Sequence, residues 1–297
     1  MNETIPKAKF ALIGGSGTWG VRFPEDLKLA TVELEEIYRN GFETPHGQSA
    51  PFKLLRIAGQ PVMRVAMHGM WKDDGTPLIS PWLAAKQVAW VLEQAGVQWA
   101  LVEGSVGGIN NPDQPNNPLP PWSVVITTDY MMFFRPDDDK PFKGSRTSRM
   151  INPFCHILRR SLLDSASQES KFVSVHDHGV YICSPWGRFE TKIEINVFAS
   201  MGADVVGHTL GHEVPVLRRA NIRLASLNIV SNHAEGLGDW SGTGKDSMAE
   251  FYYECPKFVG PVMVKALQQV IESGIETPQE ENIFIENLSG KFPVSGA

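Results

Sequence analysis

Little in this sequence points to disulfides, metal clusters or membrane insertion. Its 297 residues include three cysteines, Cys155, Cys183 and Cys255, widely spaced and odd in number. No Cys-x-x-Cys pair occurs, which argues against both a disulfide framework and a cysteine zinc site; three reduced thiols are expected. No stretch approaches the roughly 18 uninterrupted apolar residues of a membrane-crossing helix. The opening MNETIPKAKF lacks the apolar core of a signal peptide, so a cytosolic location is expected. Basic residues are also in short supply: Lys and Arg number 27 against 33 Asp and Glu, for a formal net charge of −6. With no basic cluster along the chain, binding of nucleic acid through its phosphates is not expected as the main activity. A small anion can still be held by local dipoles, because net charge says little about one pocket.

What the sequence does have is apolar content and glycine. A hydrophobic share of 42% supports a substantial core and excludes intrinsic disorder. Lys9–Ile13 reads as a buried strand that stops at Gly14-Gly15-Ser16-Gly17. Phe52–Ile57 and Pro61–Met67 read as a strand pair joined through Ala58-Gly59-Gln60. Leu83–Ala95 has helical spacing, with Gly96 as its stop. Trp99–Val102 is a strand leading into Gly104-Ser105-Val106-Gly107-Gly108. Five prolines make 110–122 a loop; Ser123–Thr127 is a strand, and the charged stretch Pro136–Ser148 reads as a lid-like loop.

Strand signal returns at Val173–Ser174 and Gly179–Cys183. Thr191 with Glu194 three residues on is a capping box opening a helix, whose Ile193, Val197 and Met201 share a face before Gly202 ends it. Val205–Val206 and Leu224–Val230 are strands around a helix near Glu213–Ala220, and a last helix runs from about Pro261 to Gly274. Strands alternating with helices, without repeats or composition breaks, predict one domain over residues 1–297: a three-layer α/β sandwich with a mixed central β-sheet.

Three glycine-rich segments, Gly14–Gly17, Gly104–Gly108 and Gly207–Gly211, are read as strand ends. Ligands of open α/β sheets bind beyond such ends, where bare amides and the hydroxyls of Ser16, Ser105 and Thr209 can meet an anion. The first segment is not Gly-x-Gly-x-x-Gly and lacks a P-loop lysine, so neither a dinucleotide nor an ATP site is indicated.

The motifs also have a recognisable order. Ile13-Gly14-Gly15-Ser16-Gly17, Thr44-Pro45-His46-Gly47, His68-Gly69, Val106-Gly107-Gly108-Ile109-Asn110 and Asn152-Pro153-Phe154-Cys155 come first. Gly187-Arg188-Phe189-Glu190-Thr191, Gly202-Ala203-Asp204-Val205-Val206-Gly207-His208-Thr209, Glu213-Val214 and Ser231-Asn232 follow. This order resembles the trimeric purine nucleoside phosphorylases and methylthioadenosine phosphorylases over roughly Phe10 to Asn232. The resemblance implies a nucleoside phosphorylase-like fold, a homotrimer, a purine nucleoside and inorganic phosphate as substrates, and no organic cofactor. It implies phosphate contacts from Ser16, His68, Ser105 and Thr209, with His68 and Asn232 as catalytic residues. Phe189 would lie against the purine, while Glu190 and Asn232 would meet N1–H and the N7/O6 edge of a 6-oxopurine. An amide offers both donor and acceptor for that edge. The bland alternative for Glu190 is to favour the dipole of the helix it precedes.

The sequence departs from the pattern in places. Met67 stands where the family has a phosphate-gripping arginine, and Lys72 where the methylthioadenosine enzymes have a histidine. Loss of a forked arginine costs on the order of 1.5–3 kcal/mol. Arg64 and Lys72 are candidate replacements, although solvent-facing surface charge is the simpler reading of both. His208 replaces a methionine beneath the ribose and becomes a candidate sugar contact. His208 with His212, and His176 with His178, have the spacing of zinc pairs, but neither pair has an evident third ligand, so no metal is expected. Three functions stay open: phosphorolysis, hydrolysis by water on the same scaffold with His208 as a candidate base, and binding without turnover.

Overall fold

The computed structural model describes residues 4–27, 29–67, 79–134, 146–148, 150–238, 248–275 and 284–286. In chain order the elements are β1 (Phe10–Gly14), β2 (Val32–Tyr38), β3 (Glu43–Thr44), β4 (Gly47–Gln48), β5 (Phe52–Ile57), β6 (Gln60–Ala66) and α1 (Pro81–Ala95). Next come β7 (Trp99–Gly108), β8 (Ser123–Ile126), β9 (Asp129–Met132), β10 (Arg146–Ser148) and α2 (His156–Ala166). The remainder are β11 (Ser174–His176), β12 (Val180–Cys183), α3 (Lys192–Ser200), β13 (Val205–Gly207), α4 (Leu210–Arg219), β14 (Arg223–His233), α5 (Met248–Glu254), α6 (Pro256–Glu272) and β15 (Phe284–Glu286).

Eleven strands form one mixed sheet, ordered β11-β8-β14-β7-β1-β6-β5-β2, with β13, β12 and β9 branching from β7. Its centre is parallel: β1 pairs with β6 and β7, and β7 with β14. The central strands are buried over most of their length and carry apolar runs such as FALI in β1 and WALV in β7, as strands covered on both faces do. One face packs on α1 and α4 through Trp82, Val88, Leu92, Val214 and Leu217. The other packs on α2 and α6 through Leu158, Leu162, Val259, Met263 and Leu267. These are the expected three layers.

Boundaries differ from the sequence reading where tertiary pairing overrides local signals. β7 runs on through the glycine segment to Gly108, because β14 and β13 pair with it there. Gly108 is required by crowding: a Cβ there would lie 2.4 Å from the Leu119 carbonyl oxygen. Gly211 lies inside α4 rather than in a strand-end loop, packed on Cys183. α1 starts two residues early, with Ser80 accepting from the Leu83 N–H and Pro81 in the first turn. α6 starts at Pro256 and carries Pro261 within it.

The capping box of α3 forms as read, with Glu194 and Thr191 bonding each other's backbone. Its apolar face is another matter. Ile193, Val197 and Met201 are 69%, 47% and 47% exposed, and Ile195 is the buried residue of the helix. No described helix is long and apolar enough to cross a membrane.

Candidate active site

Parallel pairing brings the carboxyl ends of β1, β6, β7 and β14 to one edge of the sheet, and β13 meets β7 there from the opposite direction. A cavity of about 340 Å³ opens at this junction. Ser16, Ser105, Thr209, Phe189, Glu190, His208 and Asn232, singled out from five separate stretches of sequence, all line it. His68 and Lys72 lie outside the described residues, as does most of the expected lid at 136–148.

One wall is a chain of hydroxyls. The Ser105 N–H donates to Ser16 Oγ at 3.0 Å, and the two Oγ atoms are 2.6 Å apart. Ser105 Oγ is also 2.9 Å from the hydroxyl of Tyr252, a residue that no motif singles out. Burial raises the Tyr252 pKa, only partly offset by the hydrogen bonds with Ser105 and Ser231, so the hydroxyl stays protonated near neutral pH. Thr209 precedes α4, but the Tyr181 hydroxyl accepts the first helix amides, at 3.2 Å from Thr209 N and 3.4 Å from Leu210 N. The Thr209 hydroxyl makes no capping bond.

The glycine loop between β1 and β2 is built differently from the expectation of bare amides. The Gly15 N–H donates to Glu103 at 2.6 Å, and the Thr18 hydroxyl donates to the same oxygen at 2.5 Å. Arg64 is neither solvent-facing nor on the cavity. It is buried behind the loop, 4.8 Å above the Phe23 ring, and donates to Thr18 at 2.9 Å and to the Val65 carbonyl. A side chain at Gly14 would collide with this guanidinium. Burial lowers the Arg64 pKa to about 10, against the opposing pull of Glu103, so it remains a cation at neutral pH. Met67 itself lines the cavity. Among the described lining residues there is no lysine or arginine, and the carboxylates are Glu190 and Glu235.

The lining also includes Phe189, Glu190, His208 and Asn232. Thr191 and Glu194 supply the α3 cap, so Glu190 has no capping duty; it is buried and accepts from the Ser184 hydroxyl. Phe189 is 54% exposed at the rim and meets the His208 ring edge-on, with centroids 5.8 Å apart. Asn232 follows an irregularity in β14, where Val230 pairs with Val106 and Asn232 with the next residue, Gly107. The bulge breaks strand alternation, so neighbouring Ser231 and Asn232 both line the cavity. Asn232 Oδ1 accepts from Ser231 at 2.7 Å and its Nδ2 donates to the His233 carbonyl at 2.8 Å. One amide hydrogen remains for a ligand.

The two histidine pairs are held differently. His212 is buried between Trp82 and Phe134, while His208 precedes the helix and bonds Ser184. His176 pairs with Asp113 at 2.6 Å; His178 bonds Asp177 at 2.7 Å and has its Nε2 3.9 Å from the other Asp113 oxygen.

Sequence comparison matches residues 9–273 to the family model of the phosphorylase superfamily. The S-methyl-5′-thioadenosine phosphorylase of Pyrococcus furiosus is 28% identical over 228 residues, covering 76% of this chain and 79% of the relative. The probable 6-oxopurine nucleoside phosphorylase of Thermococcus kodakarensis is 28% identical over 238 residues, covering 77% and 80%. Among solved structures, a methylthioadenosine phosphorylase from an antarctic soil metagenomic library superposes with a TM-score of 0.77 at 18% identity, covering 97% of this chain and 99% of that one. The methylthioadenosine phosphorylase of Schistosoma mansoni in complex with tubercidin gives 0.68 at 22% identity, covering 90% and 93%.

Proposed function

The chain belongs to the phosphorylase superfamily, and we propose that it phosphorolyses a purine nucleoside, with 6-oxopurines favoured, to free base and pentose 1-phosphate. The observation that carries this reading is one cavity whose lining brings Ser16, Ser105 and Thr209 together with Phe189, Glu190 and Asn232. The first set suits phosphate and the second a purine.

Breaking C1′–N9 sends the bonding electrons to the base and leaves cationic character on the sugar, while a phosphate oxygen bonds to C1′. In this reading the remaining Asn232 amide hydrogen stabilises charge at N7, and Glu190 accepts from N1–H. The Asn232 donor acts on charge that grows in the transition state, so it raises the rate and not only the affinity, whereas Glu190 orients the base. His68 is assigned with the phosphate-site hydroxyls through the family pattern, as a phosphate contact and catalytic residue. Inorganic phosphate is the co-substrate, and no organic cofactor is invoked.

Base release from inosine and guanosine, with and without phosphate, tests the proposal; the expected result is phosphate-dependent release with formation of the sugar 1-phosphate. A second reading, hydrolysis by water, is favoured by Met67 and by the absence of a described cation on the cavity. Release that persists in rigorously phosphate-free buffer would replace the first reading with the second.

We also propose a homotrimer. The exposed Ile193, Val197 and Met201 support it, because covering such side chains contributes roughly 1 kcal/mol each when about half of the surface remains to be buried.

A further inference from the structure

The pairing of β12 with β13 sets Cys183 beside Gly207, and the residue after each strand end is a hydrogen-bonding one: Ser184 and His208. Ser184 Oγ lies 2.9 Å from His208 Nδ1. The same hydroxyl donates to Glu190. A hydroxyl has one hydrogen, and with that hydrogen on Glu190 it can only accept from His208. The imidazole therefore carries its proton on Nδ1, and in the neutral ring Nε2 is left as a lone pair. Nε2 is 4.0 Å from Glu190 Oε1, beyond hydrogen-bond range, and it has no hydrogen-bond partner among the described residues. The ring lines the cavity, edge-on to Phe189.

We infer that His208 Nε2 is a fixed acceptor for a pentose hydroxyl, and that Ser184, which does not touch the ligand, is the positioning residue that sets its tautomer. The inference rests on the nucleoside reading above and adds a specificity to it. An acceptor with one lone pair and no hydrogen rewards a sugar O–H and offers nothing to a C–H at the same place. An Nε2 left unmet by the bound ligand also counts against a deoxy analogue, since a site built around a hydrogen bond rejects the ligand that lacks it. The substrate class is therefore a purine nucleoside that keeps the hydroxyl facing His208. The Ser184 link also ties the sugar contact to the base contact, because one hydroxyl orients both His208 and Glu190.

Two measurements test this. The first is imidazole ¹⁵N NMR of the free protein, with the His208 signals identified by their loss in His208→Met. An Nδ1–H tautomer in the wild type that shifts towards Nε2–H in Ser184→Ala is expected, with Ser184→Thr restoring the wild-type pattern. An Nε2–H tautomer in the wild type would overturn the inference. The second is kcat/KM for inosine and its 2′-, 3′- and 5′-deoxy analogues. The wild type is expected to disfavour one analogue by about 10- to 100-fold, and His208→Met to shrink that ratio to about 3 or less. Equal discrimination by both proteins, or none by the wild type, would overturn the inference while leaving the nucleoside reading standing. No release from inosine or any analogue by the wild type would sink that reading and the sugar contact with it.

Discussion

Glu190 has two carboxylate oxygens, and the Ser184 hydroxyl occupies one of them. The other is the proposed acceptor for purine N1–H, so Glu190→Gln replaces half of the acceptor edge with a donor. Its kcat/KM for inosine is expected to fall about 10- to 100-fold, the worth of a hydrogen bond to a charged group, as steady-state kinetics will show. A change below twofold would remove Glu190 from base recognition. Side chains in this site differed in how well the sequence announced them. Glu190, Asn232 and the hydroxyls of Ser16, Ser105 and Thr209 lie in short motifs that can be read locally. Tyr252 reaches Ser105 across 147 residues, and no local pattern encodes such a meeting. Ser184 was hidden for a different reason: a serine at a strand end is common, and only the β12–β13 register gives it a partner. Arg64 was misjudged because most arginines lie on surfaces, whereas this one is buried over Phe23 with Glu103 nearby.

At the scale of elements, α3 shows how much local chemistry can decide. Its N-terminus joins Thr191, Glu194 and Arg188, with Arg188 Nη2 at 2.6 Å from Glu194. The Arg188 hydrogen bond first, then the Thr191 N–H, holds the exposed Glu194 carboxyl down to about 2 from an ordinary 4.5. A lowered carboxyl stabilises the fold above its unfolded value and loses that contribution as pH falls through its folded value. Between pH 4.5 and 2 the wild-type unfolding midpoint should therefore drop more steeply than that of Glu194→Gln. Parallel acid titrations followed by circular dichroism will compare them, and superimposable slopes would refute the cap's pH dependence.

Other elements were hard to read. β2, with the sequence VELEEIY, carries charges because it is an edge strand, and its alternation is broken where it pairs irregularly with β5. α2 contains Arg159, Arg160 and Asp164 among its apolar residues, and no side chain caps its start. Its existence depends on packing against α6 and the sheet, which is tertiary information.

For the whole molecule, the apolar stripe of α3 is one feature left open to solvent among the described residues. A helix that stays solvated on that face gains nothing from three large apolar side chains, whereas self-association gives them cover. Sedimentation velocity should find a trimer for the wild type and smaller species for Val197→Glu, because a buried unpaired carboxylate costs several kcal/mol. A wild-type monomer would refute the assembly. The layered architecture itself was legible from the alternation of strands and helices, while the branching of β13, β12 and β9 from β7 was not, since it depends on glycines that let two strands share Gly107 and Gly108. The loop after β1 has one more consequence. Glu103 holds Gly15 and Thr18, Arg64 holds Thr18, and the Cys255 thiol donates to the Gly17 carbonyl at 3.3 Å. Its shape is thus settled by the protein's own interior before any anion arrives. The phosphate binding proposed there would therefore lose little chain entropy.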